Sequence, residues 1–160
     1  MKTFKFFLVV ILFFFQPHIV FGQGKDYFSF EALGSGGFGS INYERPILEY
    51  TDLNFHLRFG FSFTPIDKSN GANLIFPIML HWLVGKSAHK FDLGVGQAVS
   101  MTTKARFFLS GVAAAGYRYQ PLDKNYFLRA SYTPLVSFLV GFQAQHWAGI
   151  TFGYHFNRRE

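Results

Sequence analysis

The chain has 160 residues, of which 23 are phenylalanine and none is cysteine, and its formal net charge is +6. The basic residues form no run longer than Arg158-Arg159, which excludes the clustered footprint of a nucleic-acid binder, and the missing cysteines exclude disulfides, thiol chemistry and a lipoprotein attachment site. So many phenylalanines beside so much glycine exceed what one small soluble core can hide.

Lys2 and Lys5 precede an apolar run from Phe6 to Phe15, Pro17 breaks it, and Val20-Phe21-Gly22 places compact residues where a signal peptidase cuts. This pattern predicts an export signal over residues 1–22. The run is about half the roughly 20 residues that a spanning helix needs. The expected mature domain is 23–160; without Lys2 and Lys5 the 15 basic residues fall to 13 against 9 acidic ones, a net charge of +4.

From residue 23 onward no sustained helical period appears, while two-residue alternation recurs between turn signals. The first predicted strand is Tyr27 to Leu33, joined through Gly34-Ser35-Gly36-Gly37 to the second, Phe38 to Arg45. The third, Leu53 to Thr64, alternates without a fault and is twice the usual strand length, about what a tilted strand needs to cross a bilayer. Asp67-Lys68-Ser69-Asn70-Gly71 closes it with an Asn-Gly turn signal. The fourth runs from Asn73 to Val84 and fits worst, being apolar on both faces with Pro77 removing a ladder donor, so that a bend or a displaced strand is expected. The fifth is His89 to Met101, the sixth Ala105 to Tyr119, the seventh Asn125 to Pro134 and the eighth Gln145 to Phe156.

The faces then separate by character. Phe28, Phe30, Ile41, Tyr43, Phe59, Phe61, Leu93, Val95, Leu128, Ala130, Ile150 and Phe152 fall on one side, opposite Glu31, Asn42, Glu44, Arg58, Asp92, Arg118, Arg129 and Thr133. A closed barrel of eight strands is filled by its own side chains, and charges confined there must pair. Glu31, Glu44 and Asp92 balance Arg58, Arg118 and Arg129, so a salt-bridge plug is expected rather than an ion path. Tyr43, Tyr50, Trp82, Tyr117, Tyr119, Tyr126, Trp147 and Tyr154 gather toward strand ends, where an interfacial girdle of aromatics lies. The expected fold is all-β, an eight-stranded antiparallel transmembrane barrel. A soluble lipocalin-like carrier would turn the apolar set inward, where six large side chains per strand overfill the space.

These strands, with the closing segment Trp147-Ala148-Gly149-Ile150-Thr151-Phe152-Gly153-Tyr154-His155-Phe156, resemble the small outer-membrane β-barrel proteins of the OmpA transmembrane-domain and OmpX kind. The resemblance implies residence in outer-membrane lipid and insertion by the barrel-assembly machinery, which would read Gly149, Phe152, Tyr154 and Phe156 as the terminal-strand signal. The chain departs from many such proteins in carrying Asn157-Arg158-Arg159-Glu160 beyond the last aromatic.

Other chemistry is weakly signalled. Gly34 to Gly39 satisfies G-x-G-x-x-G, but nucleotide binding requires a helix to open there, and Ser40 to Pro46 reads as a strand. His56 and His81 fall on the lumen face as hydrogen-bonded fillers, His89 lies by a turn, and His146 and His155 flank the last strand; no pair has zinc-site spacing, and no cofactor is implied. Ser137 and His146 are the one candidate pair for a lipid-modifying enzyme, expected to meet across the last two strands near a rim, with no acid evident to orient them. The expected role is therefore structural, without catalysis, in a monomeric barrel. Connections are short, which argues against a large recognition surface.

Overall fold

The structure, a computed structural model, describes residues 25–65, 72–103, 107–137 and 143–157. The predicted export signal and the turn at 67–71 lie outside the described residues. Eight antiparallel strands close on themselves in chain order: β1 (Lys25–Gly34), β2 (Gly37–Glu49), β3 (Leu53–Pro65), β4 (Ala72–Val84), β5 (His89–Thr102), β6 (Phe107–Tyr119), β7 (Tyr126–Ser137) and β8 (Gln143–Asn157). Closure is made by β1 on β8, from Lys25↔Asn157 to Ala32↔Ile150. The glycine-rich motif at 34–39 is a hairpin, with Gly37 at φ 82° in a region that glycine alone enters freely, and no helix follows it.

The seventh strand runs to Ser137 rather than Pro134 and the eighth begins at Gln143 rather than Gln145, and two others differ in form. The second runs on to Glu49, four residues beyond Arg45, because a register shift between Pro46 and Leu48 absorbs the proline. The fourth is neither displaced nor lost at Pro77. Its pairing with β5 runs unbroken through Pro77↔Ala98, while its pairing with β3 lapses between Phe59↔Ile78 and Ser62↔Ile75. Gly60 makes the room there, since a Cβ on it would meet the Pro77 ring and the Asn42 side chain.

Polarity is inverted relative to a soluble domain. Phe28, Phe30, Ile41, Phe59 and Phe61 are outward and exposed, as are Leu93, Val95, Leu128, Ile150 and Phe152, whereas Glu31, Glu44, Arg58, Asp92, Arg118 and Arg129 are each no more than 2% exposed. The inward-apolar packing of a lipocalin-like carrier is thereby overturned. One aromatic moves: Trp147 shares the inward face of β8 with Gly149, Thr151 and Gly153 and lines an interior cavity, so it does not belong to the outer girdle. Tyr50, Trp82, Tyr117, Tyr119, Tyr126 and Tyr154 all lie toward the end of the barrel that carries the chain termini.

Candidate functional site in the barrel interior

The interior is layered along the barrel axis. Nearest the termini, Tyr27 meets Phe127 edge-on, with ring centroids 5.7 Å apart, and His155 at 5.6 Å. Gly153 is what admits this layer, because any Cβ there would collide with the Phe127 ring. The Arg118 guanidinium lies 3.6 Å from the Phe127 centroid and 4.8 Å from that of Tyr27, so the aromatic layer also solvates a charge in the next one.

That next layer is ionic, and each of the first seven strands supplies it with a titratable side chain: Glu31, Glu44, Arg58, His81, Asp92, Arg118 and Arg129 in strand order, with Thr151 from β8. Period-two alternation is what delivers them, since every one occupies an inward position, most of them between outward apolar residues. Arg58 Nη2 donates to Glu31 Oε2 at 2.6 Å, and Arg118 Nη1 to Glu44 Oε1 at 2.5 Å. Arg129 ties the set together, with Nη1 3.2 Å from Asp92 Oδ2 and 4.0 Å from Glu44 Oε2, and Nη2 3.4 Å from Glu31 Oε1. Ser35 and Ser40 donate to Glu31 Oε2 at 2.8 and 3.3 Å, and Thr151 accepts from Arg129 Nε and Nη2 at 3.3 and 3.1 Å. The six charges singled out from sequence are thus one connected cluster.

Two histidines complete it. His56 Nδ1 is 2.6 Å from Glu44 Oε1, and His81 Nδ1 is 2.5 Å from Asp92 Oδ1. They are register partners on β3 and β4, and Gly94 leaves the space in which the His81 ring lies. A carboxylate behind an imidazole is also what orients a metal-ligating histidine. Among the described residues, however, no three His, Asp or Glu side chains converge as a metal site.

Above the ions the two halves of the barrel differ. On the β1–β3 side the filling is polar, with Asn42 donating to Ser40 Oγ at 3.0 Å and the Ser62 hydroxyl 2.5 Å from both the Gly36 and the Gly39 carbonyl, its one proton shared between them. On the β4–β7 side Met79, Ala98, Val112 and Ala114 form an apolar cluster, with Ile75 and Leu135 against it. Neither this cluster nor the layer of Tyr27 and Phe127 follows from a reading that treats every lumen residue as polar. The signal lies in β4, whose second apolar face is Ile75, Met79 and Leu83.

The strand register does not set the candidate enzymatic pair opposite each other. His146 lies opposite Pro134, whereas Ser137 lies opposite Gln143, three residues earlier on β8. The His146 ring is exposed, stacks on Tyr132 at 5.9 Å and 12°, and shares a hydrogen bond between Nδ1 and the Tyr132 hydroxyl. On the terminal strand Gly149 is buried, while Phe152, Tyr154 and Phe156 point outward and are exposed.

No protein-family model matches the chain, and no curated protein matches it. Among solved structures it is similar to the N-terminal β-barrel domain of Pseudomonas aeruginosa OprF, with a TM-score of 0.56 and 16% identity, covering 81% of this chain and 97% of that one. It is also similar to Neisserial surface protein A (NspA), with a TM-score of 0.52 and 14% identity, covering 84% of this chain and 99% of that one. Both are small outer-membrane β-barrels, and this chain has their fold.

Proposed function

We propose that this protein is an integral outer-membrane barrel with a side-chain-filled interior, acting in the envelope as a structural element without catalysis. The observation that carries the reading is the inversion of polarity: Phe28, Ile41, Phe91 and Ile150 are 53–69% exposed on a continuous outer band, while three arginines and three carboxylates occupy the inside. An aqueous exterior makes that arrangement an aggregating patch; a bilayer makes it a solvated one, and closure leaves no strand edge to lipid. The ionic layer, with aromatic and apolar layers on either side of it, supports a barrel that does not conduct. The outward aromatics of β8 with Gly149 suit recognition of the terminal strand by the assembly machinery. Likeness in fold to OprF and to a protein named as a neisserial surface protein points the same way on location.

The reading is tested by fractionation. The mature chain is expected in outer membranes, resistant to carbonate, and faster on denaturing gels before boiling than after, because a closed barrel resists detergent. Recovery as a detergent-free soluble protein would refute it.

A further inference from the structure

The end of the barrel opposite the chain termini is hollow. A cavity of about 290 Å³ opens there above the apolar cluster, at the lower limit of sites that hold small organic ligands. An eight-stranded barrel ordinarily fills this space with its own side chains. Here five of the residues around it are Ser35, Gly37, Ala98, Ser100 and Ser110, too small to meet across it.

The lining is graded. Ala98, Ile75 and Leu135 belong to or pack against the cluster that holds Met79 and Val112, so the floor is apolar. Around the walls stand Asn73, Gln145 and the serines, all uncharged. Three inward aromatics, Phe38, Phe108 and Trp147, complete the lining, and Phe38 is 60% exposed while standing edge-on to Trp147 at 5.8 Å. Inward aromatics at an open mouth hold apolar area against water, which burial by a ligand would remove. The Asn73 Oδ1 atom is buried without a hydrogen-bond partner, an acceptor whose cost falls when a donor reaches it. Among the described residues no cation or carboxylate lines the space, so these walls offer a charged headgroup no counter-charge.

We propose that this cavity is a binding site for a small uncharged amphiphile, taken apolar end first. A short alkyl chain or single ring seats on Ile75, Ala98 and Leu135, and a hydroxyl- or amide-bearing head is hydrogen-bonded by Asn73, Gln145 and the serines between the aromatic edges. The ionic layer beneath makes it a blind cup. The assignment adds an occupant to a barrel otherwise read as filled, and it holds whichever envelope role the barrel serves.

The test uses the full mature chain in lipid nanodiscs with labelled methyl groups, and hexyl β-D-glucoside as probe. Saturable shifts are expected at the Ile75 and Leu135 methyls, while the outward Leu93 and Val95 report simple partition into lipid. Ser100→Phe, which fills the cup from its wall, should weaken binding by about tenfold or more, and Asn73→Ala should weaken it less. Glucose should leave the cup methyls unmoved, and hexanoate should bind more weakly than the glucoside. Gel mobility before boiling shows whether each variant still closes; if Ser100→Phe does not, Ser110→Leu takes its place. The proposal is overturned by shifts that follow Leu93 and Val95 without saturating, by unchanged binding in a closed cup-filling variant, or by glucose or hexanoate binding as well as the glucoside.

Discussion

Arg129→Ala should be the most damaging single truncation in the interior, because Arg129 is the cation that reaches all three carboxylates of the ionic layer. After its loss Glu31 keeps Arg58 at 2.6 Å with the Ser35 and Ser40 hydroxyls, and Glu44 keeps Arg118 at 2.5 Å. Asp92 keeps its contact with His81 but has no arginine left beside it among the described residues, and three carboxylates face two arginines. Removing one partner of a buried pair costs about 3–5 kcal/mol, and Arg58→Ala should cost less than Arg129→Ala because Glu31 retains Arg129, Thr151 and two serines. Urea unfolding of barrels refolded into lipid vesicles, followed by tryptophan fluorescence, reads the difference. With a slope of about 1–3 kcal/mol per molar, the Arg129→Ala midpoint should fall by about 1 M or more. Replacing Arg129 and Asp92 together by leucine restores the charge balance, leaves Glu31–Arg58 and Glu44–Arg118 in place, and should recover much of the loss. Neither the parent nor Arg129→Ala should carry steady current in planar bilayers, since the aromatic and apolar layers remain. An unchanged midpoint in Arg129→Ala, or a larger loss in Arg58→Ala, would refute a network connected through Arg129, and steady current in the parent would refute the filled interior.

Phe59→Arg places a charge on the outward face of β3 and should cost about 2–4 kcal/mol near the bilayer midplane, measured by the same unfolding; a neutral result would reverse the assignment of faces. Gly60→Ala should destabilise by about 1–3 kcal/mol, because its methyl meets Pro77 and Asn42, whereas Gly39→Ala has only ordinary contact with Phe30 at 3.5 Å and should be tolerated; equal midpoints for the two would mean that the gap in the β3–β4 ladder has another cause. Gln97 is exposed and outward on β5, opposite Ile78 at the centre of β4, so in the proposed bilayer setting an amide would face lipid at mid-height and Gln97→Leu should raise the midpoint; a fall would show that the amide is engaged by a partner.

Strand number, order and facing are legible in the sequence because each depends on period two, which survives any uncertainty about where a strand ends. Arg58 flanked by Leu57 and Phe59, or Asp92 by Phe91 and Leu93, can face only one way. The pairing of those charges is less legible, since Arg118 on β6 reaches Glu44 on β2 across the interior, and alternation along a strand carries no information about which strand lies opposite. Cooperation between Tyr27, Phe127 and Arg118 is hidden for the same reason. Trp147 departs from expectation because aromatics near strand ends suggest a girdle, while its own parity with Gly149 and Thr151 turns it inward. Ser137 and His146 stand further apart than their nearness in sequence suggests because a hairpin's register depends on its loop, and theirs pairs His146 with Pro134.

A buried ionic layer is an expensive way to fill a barrel, since apolar side chains of similar volume are as stable or more so. Its value lies in facing. With lipid outside, a strand that is apolar on both faces gains nothing from either orientation, and a slip by one residue would go unpenalised; a strand with an inward Arg or Glu would have to drive that charge into hydrocarbon to make the same slip. Six of the first seven strands carry such a charge, and β4 does not. Its inward residues are Asn73, Ile75, Pro77, Met79, His81 and Leu83, none of them with the fixed charge of its neighbours' Arg58 or Asp92, so its orientation rests on His81 reaching Asp92 and on Pro77 seated against Gly60. These two contacts do for β4 what an arginine does for its neighbours, and they free its inward face to supply the apolar layer that floors the cup.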